Sequence, residues 1–228
     1  MTRADAGERH TDTTDARALF TARNAAYTRF IRAVLYPQGL RAFFRASDLL
    51  RPGLRVLDAG CGTGVLTRAL LGAMRDRGLE PPVIDGFDLT PAMLARFRDE
   101  IAAQRLGGIR LTEANVLEIG SLPQDWRGYD LVISSAMLEY LPKRRLPEAL
   151  AALRERLEPS GALVVFISRR NLLMKWLIER WWNANLYTKT EIAEAFRSGG
   201  LVTTFRKFPY PYSQLNFWGL VVEGACSR

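Results

Sequence analysis

Residues 56–64 read Val-Leu-Asp-Ala-Gly-Cys-Gly-Thr-Gly, and this run decides the fold. Val56 and Leu57 end a short apolar strand. Asp58 follows, and Gly60, Gly62 and Gly64 then stand at every second position. Glycines spaced this way let the backbone turn sharply and meet a ligand with no side chain in between. Beyond them Val65, Leu66, Ala69, Leu70 and Met74 recur at helical spacing, so a helix starts at the end of the turn. Strand, glycine turn and helix together make a cradle for a nucleotide-like ligand.

The spacing separates two kinds of ligand. A dinucleotide fingerprint needs G-x-G-x-x-G/A, whereas here the third glycine comes one residue early and Val65 takes the last position. Asp58 would also repel a pyrophosphate, and it suits a ligand with an ammonium group. The run resembles the first motif of the class I S-adenosylmethionine-dependent methyltransferases, D/E-x-G-x-G-x-G, through Asp58, Gly60, Gly62 and Gly64. The resemblance implies S-adenosyl-L-methionine as cofactor, with Ala59 and Cys61 beside it in the turn.

A second segment, VIDGFDLTPAML (83–94), is similar to the end of the second strand in small-molecule members of that class. Val83 and Ile84 read as strand. Thr90 reads as an N-cap and Pro91 as the first helical residue. Met93, Leu94, Phe97 and Ile101 mark the buried stripe of the helix. By the resemblance Asp88 grips both ribose hydroxyls, since a carboxylate accepts two hydrogen bonds, and Leu89 lies next to it. Asp85 is the rival acid and is expected to face solvent or a neighbouring loop. Asp88 falls 30 residues beyond Asp58, against about 20 in related folds; an insertion at 75–82 accounts for the difference.

Further matches are looser. A third strand runs from Ile109 to Thr112, and Asn115 and Val116 follow where relatives bind adenine. Residues 129–142 (YDLVISSAMLEYLP) give a fourth strand, with Ser134 at its cofactor end and Glu139 and Tyr140 on the loop after it. LEPSGALVVFIS (157–168) gives a helix end, a Pro-Ser-Gly turn and a fifth strand. Thr188 to Glu191 reads as a capping box, and the helix it opens ends at Gly199-Gly200. Two last strands are expected near 201–208 and 216–224. The expected architecture is an α/β, Rossmann-like, seven-stranded, mostly parallel sheet with helices on both faces and an antiparallel last strand.

Length and composition fit one such domain: 228 residues, 48% hydrophobic, enough for a sizeable core. Residues 1–16 are polar and expected to be a disordered tail. Residues 17–52 then form a helical cover, 53–168 the cofactor core, 169–187 an inserted helix or lid, and 188–228 the last helix and hairpin. No run reaches the length of a membrane span, and the acids of the first 16 residues argue against a targeting peptide. Cys61 and Cys226 are not placed to pair, which suits a reducing cytoplasm. The net charge of +8 comes from 28 Arg and 4 Lys. The arginines are scattered among acids, as in ARFRDE and LRERLE, which is the pattern of a solvated face and makes a nucleic-acid partner unlikely. No residue cluster suggests a metal.

The acceptor is expected to lie under the inserted segments. Tyr27 is expected to lend an aromatic ring to the cofactor, and Tyr36 to reach the acceptor. In 169–187 (RRNLLMKWLIERWWNANLY), Arg169, Trp181, Trp182 and Tyr187 are candidate acceptor contacts, together with Tyr140. The sole histidine, His10, lies in the tail, so Glu139 is the candidate general base. Its competing assignment is a surface carboxylate paired with Lys143 or Arg144. A small-molecule methyltransferase with an apolar or aromatic acceptor is the leading reading. A lipid or protein methyltransferase touching a membrane through 169–187, and a catalytically silent partner protein, stay open.

Overall fold

The computed structural model describes residues 33–170 and 184–226. Seven strands form one sheet in the order β3-β2-β1-β4-β5-β7-β6. They are β1 (Arg55–Ala59), β2 (Val83–Asp88), β3 (Ile109–Glu113), β4 (Tyr129–Ser135), β5 (Leu157–Ser168), β6 (Leu201–Arg206) and β7 (Gly219–Cys226). The first five pair in parallel. The last strand runs antiparallel to both of its neighbours, β5 and β6. This is the Rossmann-like sheet expected above.

The helices are α1 (Tyr36–Ala46), α2 (Val65–Asp76), α3 (Pro91–Gln104), α4 (Leu146–Arg154), α5 (Lys189–Ser198) and the single turn α6 (Leu215–Trp218). Alternation along the strands sorts side chains onto two faces. Val56, Ile133, Val164, Phe166 and Val221 point to the face covered by α1 and α2. Leu57, Val132, Leu163, Val165 and Val222 point to the face covered by α4 and α5. Phe43, Phe44, Phe166 and Phe208 stack edge-on in the first layer.

The long interval from Asp58 to Asp88 is taken up by α2 and the loop 77–82. The capping box is present: Thr188 Oγ1 accepts the Glu191 N–H, and the Glu191 carboxylate accepts the Thr188 N–H. Thr90 stands at the N-cap of α3, but its side chain makes no cap bond. The Asp88 carboxylate takes the Thr90 N–H instead. Residues 158–161 join β5 through a register break between Tyr129 and Leu131, not as a separate turn. Pro159 cannot donate to the ladder, which fits a bulged start. The last strand begins at Gly219, because residues 215–218 coil into α6. The tail 1–16 and most of the inserted helix lie outside the described residues. Among the described residues no helix is long and apolar enough to cross a membrane.

Asp85 corrects the expectation of an exposed acid: it is fully buried. Arg110, its partner in the β2–β3 register, donates two N–H bonds to its two oxygens at 2.6 and 2.8 Å. The Tyr129 hydroxyl adds a third at 2.7 Å. The outer side of the Arg110 guanidinium bonds Asp125 and covers the Trp126 ring. A buried carboxylate needs such partners, and removing one leaves an uncompensated charge. Arg110→Ala should therefore cost about 2 kcal/mol, toward the low end because Arg110 is half-exposed. A chain of this size should then melt roughly 4–8 °C lower, which circular dichroism melts check. Its affinity for cofactor should stay unchanged.

Candidate functional site

The order of the sheet reverses between β1 and β4, and ligands of open α/β sheets bind at the carboxyl ends of strands beside such a reversal. Asp58, residues 60–64, Asp88, Asn115 and the segment 134–139 all gather there. The glycine loop is tied to β2 by the Gly60 and Cys61 amides, which both donate to the Phe87 carbonyl at 2.8 and 2.9 Å. The loop glycines all have positive φ. A Cβ on Gly60 would sit 2.4 Å from Met137 Cγ, and one on Gly64 would sit 2.1 Å from the Phe97 ring. Gly62 differs: its nearest neighbour in that direction is Asp88 Oδ2 at 4.0 Å. One glycine thus leaves the backbone open to a ligand, and two let side chains pack against the loop backbone.

Asp58 is fully buried. Its Oδ2 accepts the Thr67 hydroxyl at 2.6 Å, while Oδ1 has no partner among the described residues. Burial pushes its pKa up to about 7, against the Thr67 bond and with help from the nearby Asp88 charge. An unpaired buried carboxylate oxygen is costly, and it marks where a cationic donor fits. Asp88 is half-buried; its oxygens accept the Gly62 N–H at 2.9 Å and the Thr90 N–H at 2.8 Å. Burial raises its pKa, and those two amide bonds oppose the shift. Each of its oxygens keeps a second lone pair for a hydroxyl donor. The pair therefore suits a ligand with an ammonium at one end and a diol at the other.

The remaining expected residues take varied positions. Ala59 is buried, and its carbonyl accepts the Ser134 hydroxyl at 2.8 Å, fastening β4 to β1. Cys61 offers only its backbone to the loop. Its side chain is buried with Leu94 and Phe97, and burial holds the thiol pKa well above its ordinary value. Leu89 is half-buried beyond Asp88, and Val116 is in the core. Asn115 caps the 3₁₀ turn 116–121: its side-chain oxygen accepts the Leu117 N–H at 3.0 Å. The Tyr36 and Ser135 hydroxyls share a 2.8 Å bond at the end of β4. Tyr140 is half-buried on the 3₁₀ turn 138–140. Tyr27, Trp181 and Trp182 lie outside the described residues.

Two expectations change. Glu139 is not a surface carboxylate paired with Lys143 or Arg144. It is 4% exposed and accepts the Ser168 N–H and hydroxyl, both at 2.9 Å. Burial lifts its pKa to about 7 against those two bonds. Lys143 instead pairs with Glu191, as does Arg170. Tyr187 is a core residue at 2% exposure, with Lys143 Nζ 4.9 Å from its ring centre and no partner for its hydroxyl. Arg169 donates one N–H to the Asn216 carbonyl, and no acid pairs with it among the described residues. Sequence reasoning missed Thr67, Ser168 and Met137. A hydroxyl one turn into the helix after the glycines would have signalled Thr67; nothing local points to the other two.

Comparison with known proteins agrees with this geometry. The family described as a methyltransferase domain matches residues 56–161. A carboxy-S-adenosyl-L-methionine synthase of Chromohalobacter salexigens is 30% identical over 157 residues, covering 64% of this chain and 53% of that protein. A trans-aconitate 2-methyltransferase of Deinococcus radiodurans is 36% identical over 115 residues, covering 50% of this chain and 38% of that protein. The chain spans less than two thirds of the length of these curated relatives. Among solved structures, magnesium protoporphyrin IX methyltransferase from Synechocystis with bound SAH shares the fold at a TM-score of 0.69. It is 18% identical, with 95% of this chain and 100% of that one covered.

The raised pKa of Asp58 has a consequence for stability. A carboxyl group with a higher pKa folded than unfolded favours the fold at low pH and loses that contribution as pH rises through the folded value. Asp58→Asn should therefore raise the melting temperature of the ligand-free protein at pH 8 by several degrees and change it little near pH 3, below the ordinary carboxyl value. Scanning fluorimetry at the two pH values tests this; equal shifts at both would remove Asp58 as the titrating group.

Proposed function

We propose, from the match of residues 56–161 to the family described as a methyltransferase domain, that the chain transfers the methyl group of S-adenosyl-L-methionine to a small apolar or aromatic acceptor. The observation that carries this reading is the buried, unpartnered Oδ1 of Asp58 beside the open face of Gly62. Asp58 holds the methionine ammonium, and Gly60 to Gly64 pass beneath the cofactor. Asp88 accepts the ribose hydroxyls. Leu89, Asn115 and Val116 border the adenine, with the second lone pair of the Asn115 oxygen available to its amino group. When bound, the cofactor supplies an electrophilic methyl on a sulfonium. The protein supplies alignment and a dry pocket.

On the acceptor side Tyr36 stands edge-on to Phe208, with Tyr212 and Trp218 packed on the same cluster. Aromatic walls of this kind suit apolar or ring-bearing molecules. Arg169, without an acidic partner among the described residues, holds an acidic group on the acceptor, and Tyr140 borders the same side. Tyr27, Trp181 and Trp182 are assigned to the cover from sequence alone. Glu139 is the general base: two lone pairs of its carboxylate are used by Ser168, and the others accept the acceptor's proton. The two free cysteines suit a reducing compartment, and we place the protein in the cytoplasm.

Titration calorimetry with S-adenosylmethionine and with NAD tests the cofactor assignment; heat with NAD alone would sink it. Asp88→Ala should weaken cofactor binding by about 2 kcal/mol, as it strips a charged acceptor from two donors. Transfer of labelled methyl to acceptor separates this function from carboxylation of the cofactor, the activity in the name of the Chromohalobacter relative.

A base must be ionised to act, so turnover should rise with pH through about 7, the value to which burial lifts Glu139. Glu139→Gln should lower turnover roughly 10²- to 10³-fold and abolish that rise. A pH–rate profile that keeps its acid limb in the variant would take Glu139 out of the chemistry.

A further inference from the structure

The structure assigns Met137 as a residue that positions the transferable methyl, an inference that rests on the methyl-transfer reading above. The starting point is a backbone outlier. Three non-glycine residues among those described have positive φ: Leu35, Arg105 and Ala136. Leu35 is the N-cap of α1, and Arg105 is the C-cap of α3, where the left-handed conformation closes a helix C-terminus. Ala136, at φ 52, stands between β4 and Met137, the N-cap of the 3₁₀ turn 138–140. It follows the last residue of β4, at the reversal point of the sheet. A strained residue persists only where its surroundings over-determine it, and such residues gather at ligand sites.

The surroundings of Ala136 do over-determine it. Ser134 bonds the Ala59 carbonyl, and Ser135 bonds Tyr36. The Ala136 N–H donates to the Phe166 carbonyl at 3.1 Å. Glu139 bonds Ser168. Between these ties the chain turns so that Met137 lies on the Cα of Gly60. A Cβ added there would meet Met137 Cγ at 2.4 Å and Met137 Cβ at 2.5 Å.

Gly60 lies between the two anchors of the cofactor. Asp58, two residues before it, takes the ammonium, and the Gly62 amide bonds Asp88, which takes the ribose. The sulfonium lies between ammonium and ribose in the cofactor itself, so it passes over this part of the loop. Met137 thus forms the wall where the glycine loop meets the segment leading to Glu139. Its unbranched thioether is a soft, adaptable surface that excludes water. Displacing the reacting carbon by even about 1 Å can cost roughly 10²-fold in rate. The role expected of Met137 is to hold the methyl in line with the acceptor.

The experiment compares Met137→Leu, Met137→Ala, Gly60→Ala and the Gly60→Ala/Met137→Ala pair, each by calorimetric affinity for S-adenosylmethionine and for S-adenosylhomocysteine, steady-state kinetics and melting temperature. For Met137→Ala we expect kcat to fall about 10-fold or more with KM for the acceptor nearly unchanged, and affinity to weaken more for S-adenosylmethionine than for S-adenosylhomocysteine. Met137→Leu, similar in volume, should recover most of the rate. Gly60→Ala should lose cofactor affinity, and the double variant should regain part of it because the obstructing side chain is gone. Wild-type kcat and wild-type affinities in Met137→Ala would overturn the inference. Failure of the wild-type protein to bind S-adenosylmethionine would instead overturn the functional reading beneath it.

Discussion

β1 is hydrogen-bonded on both sides, to β2 and to β4, and it ends in a carboxylate that water cannot reach. That burial is the constraint on which the rest of the site depends. Asp58 has one oxygen satisfied by Thr67 and one left bare. An ion in that state is disfavoured, and burial pushes the Asp58 pKa up to about 7. A cationic ligand reverses the balance. The same feature that weakens the empty fold suits a cationic partner, and in a low-dielectric setting such a contact is stronger than in water.

Four acids of identical or similar chemistry do four different things here, and environment separates them. Asp58 is buried and half-satisfied. Asp85 is equally buried, but Arg110 and Tyr129 satisfy it, and it serves the sheet. Asp88 is on the same strand, three residues on and at its exit, so it reaches the crevice and bridges Gly62 to Thr90. Glu139 is buried between the ends of β4 and β5 and is held by one serine through two bonds. An acid with an unused lone pair beside a cleft is available to a ligand, and one whose oxygens are filled by arginine and tyrosine is not.

The segment 134–139 joins parts of the molecule that the sequence keeps far apart. It is fastened to β1 through Ala59, to α1 through Tyr36, to β5 through Phe166 and Ser168, and to the glycine loop through Met137. Movement of any one of these elements is felt at the others. Rigidity of this kind is what alignment of two reactants requires.

The sequence by itself determined the strand–glycine–helix cradle, the parallel order of strands and helices, the antiparallel end and the capping box at Thr188. Each is a local pattern: period two, period 3.6, glycines at fixed offsets, a hydroxyl and an acid three residues apart. The places of Asp58 and Asp88 at the ends of β1 and β2 were also legible, because a motif of a few residues carries them. Only the tertiary structure decided which acid is paired with what. Asp85 and Arg110 are 25 residues apart and meet through strand register. Glu139 and Ser168 meet across parallel strands, and Tyr187 turned out to be a core residue because β5 and α5 close over it. Met137 lies on Gly60 because Ala136 adopts a conformation that its residue type does not announce. Burial and pairing belong to contacts distant in the chain, and these set the charge and the chemistry of a carboxylate.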